Sequence, residues 1–503
     1  MAKTLRNYQE DIIRNLRLAF GKHDKVCLAS PTGSGKTVVF SYIAEQTAIR
    51  NKNVLIIAHR DFLLDQISMS LADNGVKHNL VCQKALKNIL YIEHLRSYGE
   101  VFLDINSHVT VASIQTLIRR DYERTLKDID LIIIDEGHRA CSPTYLKILD
   151  KKKKDCKVLA VTATPERTDG QGLKIIADEL IIGSQMIDLI KKKYLCYPIV
   201  YAPQHKLDLS GIKTRLGDYD QEELYKVVSQ DKHLVGDSIE HYKNISGIVP
   251  ALGFCVNVAH AEKTAEQYRA AGIRAIALSA KNKTRERNEA THKLKNREID
   301  IIFSCDLFNE GYDVPLVGVG IILRPTQSLI IHLQQMGRIL RRYPDNLDSD
   351  MQHLIKPNDD HIAYIFDHAG NTLKHGLPTD IRNWTLEGRK RKKKDLDEIK
   401  VAQCPNCYAY HSIGAKNCPH CGHKYFVVKN NAEEIEVVDG QLKEVNPYIT
   451  GWSKGVDIKN TPLNKVLFYA RTDEQLAEIA KAKGYNKNWI NHVKKGREAK
   501  KRK

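Results

Sequence analysis

No apolar run in the 503-residue sequence approaches the length a membrane span needs, so no bilayer-crossing helix is expected. The first twenty residues lack the continuous apolar core of a secretory leader. Leu5, Tyr8, Ile12, Ile13, Leu16 and Phe20 instead recur at helical spacing among Glu10, Asp11 and several arginines, which predicts an amphipathic helix and a cytoplasmic or nucleoid compartment. Acidic residues are in deficit: 61 Asp and Glu stand against 78 Lys and Arg, a formal net charge of +17. Such a surplus points to a polyanionic partner, because Lys and Arg gain affinity by releasing counterions from phosphates. The excess is uneven, with fourteen Lys and Arg against five Asp and Glu between Gly451 and Lys503. A disulfide framework is also missing. Of eleven cysteines, four fall in one paired cluster and seven are scattered singly, as ordinary thiols of a reducing compartment are.

The length exceeds one ordinary core, and at about 150 residues per domain it predicts about three units. Their organising stretch is Ser30-Pro31-Thr32-Gly33-Ser34-Gly35-Lys36-Thr37. A small-residue turn lets successive backbone N–H groups face phosphate oxygens, and a following helix adds its positive dipole end. Pro31, Thr32, Gly33, Ser34 and Gly35 form the cradle, Lys36 reaches the β- and γ-phosphates, and Thr37 ligates Mg²⁺. The strict pattern has glycine where this chain has Ser30. The flanks supply the required context: the strand-like run Val26–Ala29 before the loop and a buried helical pattern from Val38 after it. ATP is therefore the expected ligand.

From Val26 to about Thr164, apolar runs at 54–58, 109–112, 131–134 and 158–161 alternate with helical stretches, as strands buried on both faces of a parallel sheet do. Polar clusters close three of these: His59-Arg60-Asp61, Asp135-Glu136-Gly137-His138 and Thr162-Ala163-Thr164-Pro165. Ligands of open α/β sheets bind at the carboxyl ends of strands, so the clusters should share a rim with the phosphate loop. A Pro- and Gly-bearing connector follows at 188–225. A second alternation then has apolar runs at 252–256, 275–278, 299–303, 319–323 and 363–366, with no phosphate loop of its own. The expected layout is a nucleotide-binding domain at 1–187, the connector, a second α/β domain at 226–385, a basic linker at 386–400, a cysteine module at 401–428 and a basic helical tail at 429–503. Adjacent carboxylates Asp135 and Glu136 at a strand end call for a shared cation. Mg²⁺ held by Asp135 supplies it, leaving Glu136 to activate water.

These residues resemble the DEAH/DEAD-box kind of superfamily 2 helicases, over roughly Leu5 to Asp367. Asp135-Glu136-Gly137-His138 resembles the D-E-x-H box, including His138, and Thr162-Ala163-Thr164 resembles motif III. Arg6-Asn7-Tyr8-Gln9 resembles the upstream R-x-Y-Q element, whose glutamine reads adenine. In the second domain, Gln334 to Arg342 matches Q-x-x-G-R-x-x-R. Arginines at i and i+3 share a helix face, so Arg338 and Arg341 would act as fingers on the γ-phosphate. Gly311 and Asp313 stand at the recognisable positions of motif V. His59, Arg60, Ser113, Gln115, Thr162, Thr164 and Ser279 stand where related motifs touch the nucleic-acid backbone. The resemblance implies two tandem RecA-like parallel-sheet domains whose cleft closes on ATP.

Cys404-Pro405-Asn406-Cys407 and Cys418-Pro419-His420-Cys421 are two C-x-x-C knuckles that can surround one Zn²⁺ tetrahedrally, predicting a four-cysteine ribbon. The order of core, basic linker, ribbon and a short Leu476–Tyr485 module followed by Trp489 is similar to RadD-like DNA-repair helicases and their phage relatives. That similarity implies single-stranded, forked or branched DNA as substrate, with single-strand-binding or repair proteins as partners, in a bacterial or phage-infected cytoplasm. RNA unwinding, or a repair adaptor switched by nucleotide with little turnover, are the alternatives the motifs leave open.

Overall fold

The computed structural model describes residues 4–167, 170–203, 207–215, 217–230, 238–244, 249–307, 317–342, 362–388, 401–404, 410–412, 417, 422–423, 473–486, 488–491 and 493–494. The chain divides into two compact units, one of residues 1–198 and 207–398, the other of 199–206 and 399–503.

In the first unit, strands β1 (Lys25–Ala29), β2 (Asn53–Ala58), β3 (Asn79–Val81), β4 (Val109–Ser113), β5 (Ile129–Asp135), β6 (Lys157–Thr162) and β7 (Glu179–Ile182) form one sheet. Their order is β3-β4-β2-β5-β6-β1-β7, and every pairing is parallel. The central strands are the apolar runs of the sequence. Val26, Cys27, Leu28, Val54 to Ala58, and Ile132 to Ile134 are buried because helices cover both faces. The register pairs Ala29 with Thr162 and Asp135 with Val161. The exits of β1, β5 and β6 thus stand side by side on one rim. The helix Asn7–Phe20 packs under that rim by burying Tyr8, Ile12, Ile13, Leu16 and Ala19, the face its spacing predicts.

Two strands escape the sequence pattern. β3 has three residues, too few to show a period, and β7 is a sheet edge whose four residues are all partly or fully exposed. Neither presents the apolar run by which buried strands are recognised.

A second sheet follows in the same unit, in which Ala275–Leu278, Ile301–Ser304, Ala251–Phe254, Val319–Ile322 and Ile362–Asp367 lie side by side in that order with parallel pairing. The helix Leu329–Ile339 packs on this sheet. A Cβ on Gly320 would lie 1.8 Å from Ile339 Cδ1, so the bare backbone of the strand seats that side chain. Both α/β lobes expected from the sequence are therefore present.

Beyond the second sheet, the chain returns to the first lobe. Leu386 is buried in the first lobe's core beside Leu173, Ile176 and Ala177, and its carbonyl accepts the Lys174 N–H at 3.1 Å. Gly172 and Gly388 meet backbone to backbone: a Cβ on Gly172 would stand 1.8 Å from the Leu386 oxygen and 2.4 Å from Gly388 N. The strap 386–388 is thus held by an approach only glycine permits.

In the second unit, Val401–Gln403 pairs antiparallel with Tyr410–Ser412, and the Tyr410 hydroxyl donates to the Pro203 carbonyl at 3.3 Å. The helix Asp473–Lys483 buries Leu476, Ile479 and Ala480, and Tyr485 stacks on Trp489 with ring centroids 4.8 Å apart. No helix among the described residues is long and apolar enough to cross a membrane.

Gly172→Val drives a side chain into the strap's backbone, where no rotamer relieves the clash. We expect a loss of about 1–3 kcal/mol in unfolding free energy, read by denaturant titration, with Gly211→Ala as the control at an unobstructed site outside the left-handed region.

Candidate active site

The phosphate loop is shaped by two left-handed glycines, Gly33 at φ +84° and Gly35 at φ +75°, conformations that side chains rarely adopt. Gly35 ends the turn and the helix Lys36–Ala48 begins directly after it. The Lys36 ammonium rests on the carbonyls of Ser30 (3.2 Å) and Pro31 (3.3 Å), curled over the loop where phosphate oxygens would compete for it. Ser30, at the position of the absent glycine, donates its hydroxyl to Ser34 Oγ at 2.7 Å and so braces the loop across its base.

The first helix fastens the loop from the other side. Tyr8 donates its hydroxyl to the Ser34 carbonyl at 2.7 Å, and the Gln9 amide nitrogen lies 3.5 Å from the same oxygen. Gln9 also accepts the Arg6 backbone N–H at 3.0 Å, so both ends of its amide are engaged. The Arg6 guanidinium lies over the Tyr194 ring, 4.3 Å from its centroid, and Tyr8 tilts against the same ring at 5.2 Å. Tyr8 and Tyr194 were not among the expected site residues. Tyr8 falls inside the R-x-Y-Q element, whereas Tyr194 lies far along the chain with no local signal.

Asp135 and Glu136 are both buried at the end of β5. Burial, followed by repulsion from Glu136, pushes Asp135 up to about 7, and Lys36 and Arg338 oppose the rise. Burial also pulls Lys36 below its usual range against the attraction of Glu136 and Asp135. Glu136 takes the left-handed conformation (φ +52°), turning its side chain off the strand. There it lies 3.3 Å from His138 Nδ1, which is itself 3.2 Å from Thr162 Oγ1. Thr162 Oγ1 donates to the Thr164 carbonyl at 2.9 Å and accepts the Thr164 N–H at 3.1 Å. The two polar clusters are thus physically joined. Glycine at position 137 has its own cause: a Cβ on Gly137 would stand 2.9 Å from Ala160 Cβ and 3.2 Å from Val161 N.

The second lobe completes the site. A Cβ on Gly337 would fall 2.5 Å from Thr32 Cβ, and one on Gly33 would fall 2.8 Å from Leu195 Cδ2, so loop and helix meet at bare glycines. Gln334 Nε2 reaches Glu136 Oε2 at 3.5 Å. Arg338 is buried, and both Arg338 and Arg341 act electrostatically on Lys36. Burial lowers Arg341 to about 10, which leaves it charged at neutral pH. Arg342 donates to the Lys193 carbonyl at 2.8 Å.

The rim residues are largely occupied in shaping their own loops. Gln115 Nε2 donates to the His59 carbonyl at 2.6 Å and its Oε1 accepts the Ser113 hydroxyl at 2.7 Å. Asn282 Oδ1 accepts the Ser279 N–H at 2.8 Å, and Arg60 donates across the lobes to the Asp306 carbonyl at 3.4 Å. Gly311, Asp313, Cys407, Cys418 and Cys421 lie outside the described residues. Cys404 is described, buried at the end of Val401–Gln403, and the described residues alone contain no cluster of metal-ligating groups.

Comparison with known proteins places this geometry. Residues 2–167 match the family of the type III restriction enzyme res subunit, and residues 240–343 match the helicase conserved C-terminal domain. A 51.5 kDa protein of Lactococcus phage (isolate 7-9) is 29% identical over 92% of this chain and 98% of its own length. The provisionally named ATP-dependent helicase IRC3 of Saccharomyces cerevisiae is 29% identical over 68% of this chain, which spans 50% of that protein. Among solved structures, the ATP-dependent type ISP restriction-modification enzyme LlaBIII bound to DNA superposes with a TM-score of 0.50 at 17% identity, over 73% of this chain and 28% of that one.

Gly337→Ala places a methyl group against Thr32 and keeps helix and loop apart. ATP turnover is expected to fall about tenfold while affinity for a fluorescent ATP analogue stays within about threefold, which steady-state assays and titration together check.

Proposed function

We propose that the chain is a superfamily 2 helicase and, more narrowly, an ATP-driven DNA translocase that remodels or unwinds branched or gapped DNA. Its enzyme class is that of the ATP-dependent helicases. The observation that carries the proposal is the convergence of Lys36, Asp135, Glu136, Arg338 and Arg341 where the Gly337 backbone meets Thr32.

The residues fit Mg²⁺ and ATP. Two buried carboxylates, one pushed up by burial and by its neighbour's charge, suit a cation, and three cationic side chains beside them suit a triphosphate. Asp135 and Thr37 would hold Mg²⁺, which when bound neutralises charge on the phosphates. Lys36 leaves the Ser30 and Pro31 carbonyls for phosphate oxygens. Gln9, and Arg6 beside it, meet the base. Glu136 orients water and accepts its proton, and His138 and Thr162 fix the Glu136 side chain. Arg338 and Arg341 stabilise the charge that grows on the γ-phosphoryl group, so turnover requires the lobes to be together. Gly311 and Asp313 are assigned to the nucleotide side of the second lobe.

His59, Arg60, Ser113, Gln115, Thr162, Thr164 and Ser279 are proposed to line the nucleic-acid track, gripping backbone rather than bases. DNA is favoured over RNA because residues 2–167 match the family of the type III restriction enzyme res subunit, and restriction enzymes act on DNA. Cys404, Cys407, Cys418 and Cys421 are proposed to hold one structural Zn²⁺. The antiparallel pair of Val401–Gln403 with Tyr410–Ser412, with Cys404 buried at its end, suits a ribbon. The basic tail would add a non-specific phosphate grip, with single-strand-binding or repair proteins as partners.

ATP turnover should be stimulated by single-stranded and forked DNA and weakened steeply by salt. Lys36→Ala should abolish it, and Arg338→Ala or Arg341→Ala should lower kcat by about 10³. Stimulation by RNA alone would move the substrate to RNA, and no turnover with any nucleic acid would leave a nucleotide-switched adaptor. Elemental analysis of the purified chain should find one zinc per molecule, reduced at least severalfold in Cys404→Ser and Cys418→Ser.

A further inference from the structure

One buried charged cluster takes no part in this mechanism. Arg324 follows the strand Val319–Ile322 and is 4% exposed, with its guanidinium between two carboxylates. One nitrogen lies 3.2 Å from Asp218 Oδ2, and the other bonds Asp306 Oδ1. Asp218 comes from a hairpin, Thr214–Arg215 paired with Asp218–Tyr219, that turns at left-handed Gly217 (φ +84°). With its second oxygen, Asp218 accepts the Thr326 hydroxyl at 3.0 Å and the Gln327 N–H at 2.7 Å.

These contacts run directly into the arginine-bearing helix. Thr326 Oγ1 accepts the Ser328 N–H at 3.0 Å, and Ser328 Oγ caps the helix by accepting the Ile331 N–H at 3.4 Å. Asn371 Oδ1 accepts the Thr326 N–H at 2.9 Å, fixing the same turn from another side. At the opposite end, Asp306 is held at φ +56°, accepts Gln221 Nε2 at 3.0 Å, and presents its carbonyl to Arg60 of the first lobe at 3.4 Å. A continuous polar chain therefore joins Arg60 on the proposed track to the start of the helix that carries Arg338 and Arg341.

A buried arginine between two carboxylates is poor value as a stabiliser, since apolar replacements of such clusters are often neutral. Its geometry, not its energy, is the asset: a planar fork can fix two carboxylates at once, as a lysine cannot. We propose that Arg324 is a positioning residue which, with Asp218, couples nucleic-acid engagement at Arg60 to placement of the helix bearing Arg338 and Arg341. The inference rests on the reading of the chain as a nucleic-acid-stimulated ATPase.

The test uses the full chain with Asp218→Asn, Arg324→Lys and Arg324→Met. ATPase rates are measured without nucleic acid and with saturating oligothymidylate, alongside ATP KM and oligothymidylate affinity. Asp218→Asn keeps the Oδ1 acceptor for Thr326 and Gln327 while setting an amide donor against the guanidinium in place of the ion pair, so it decides the matter if Arg324→Met is poorly folded. The stimulation factor should fall about tenfold in Asp218→Asn and Arg324→Met and less in Arg324→Lys, with the unstimulated rate, ATP KM and DNA affinity within about threefold. Adding Asp218→Asn to Arg324→Met should cost little more. Retained stimulation, or stimulated and unstimulated rates falling in proportion, overturns the inference while leaving the functional reading intact. A wild-type chain that no nucleic acid stimulates overturns both.

Discussion

The active site depends on one close approach, that of the Gly337 backbone to Thr32 of the phosphate loop. A Cβ at Gly337 would intrude to 2.5 Å, so the two lobes touch through main chain and a small side chain. This contact brings Arg338 and Arg341 within electrostatic reach of Lys36. Three cations then face two carboxylates, Asp135 and Glu136, in a largely buried space, and burial lowers Lys36 and Arg341 while raising Asp135. Lys36, Arg341 and Asp135 are each under desolvation stress. A triphosphate with its cation supplies acceptors for the arginines and lysine and a counter-charge for the carboxylates at once.

That approach is supported from outside the cleft. Cys196 N–H donates to the Leu340 carbonyl at 2.8 Å and Arg342 to Lys193, which joins the end of the arginine-bearing helix to the chain leaving the first lobe. The strap 386–388 supplies a second crossing, seated on Gly172 by backbone contact. Opening at Thr32 and Gly337 need not release the strap, because its contacts lie on Lys174 and the first lobe's core. A cleft that can part at its catalytic face while tethered elsewhere suits repeated closure more than full separation.

Much of this was legible in the sequence, and the division between legible and hidden has a physical basis. Strands buried on both faces announce themselves as apolar runs, so Val54–Ala58 and Leu131–Ile134 were readable, while edge strand Glu179–Ile182 was not. Lys36, Asp135 and Glu136 were readable because their chemistry is written within a few residues. Tyr194, Gln334's reach to Glu136, and the Asp218–Arg324–Asp306 cluster were hidden, because each joins residues tens to hundreds of positions apart. Ser30 had looked like a departure from the phosphate-loop pattern. Its hydroxyl to Ser34 is a brace that glycine could not make.

The rim residues carry the last consequence. Ser113, Gln115 and Ser279 were singled out because related motifs touch the nucleic-acid backbone there, and all three bond to nearby residues in this structure. Side chains already committed to fixing a loop have limited freedom to discriminate bases. They can still hold backbone N–H groups and nearby cations in a set arrangement, which suits a repeating phosphate track. Recognition built this way follows the spacing and charge of the strand rather than its sequence. Arg60 differs from the others, because it donates to Asp306 across the lobes. A phosphate that draws its guanidinium away would exchange an interlobe contact for a nucleic-acid contact. That exchange would give the proposed track a direct physical means of biasing the lobe arrangement.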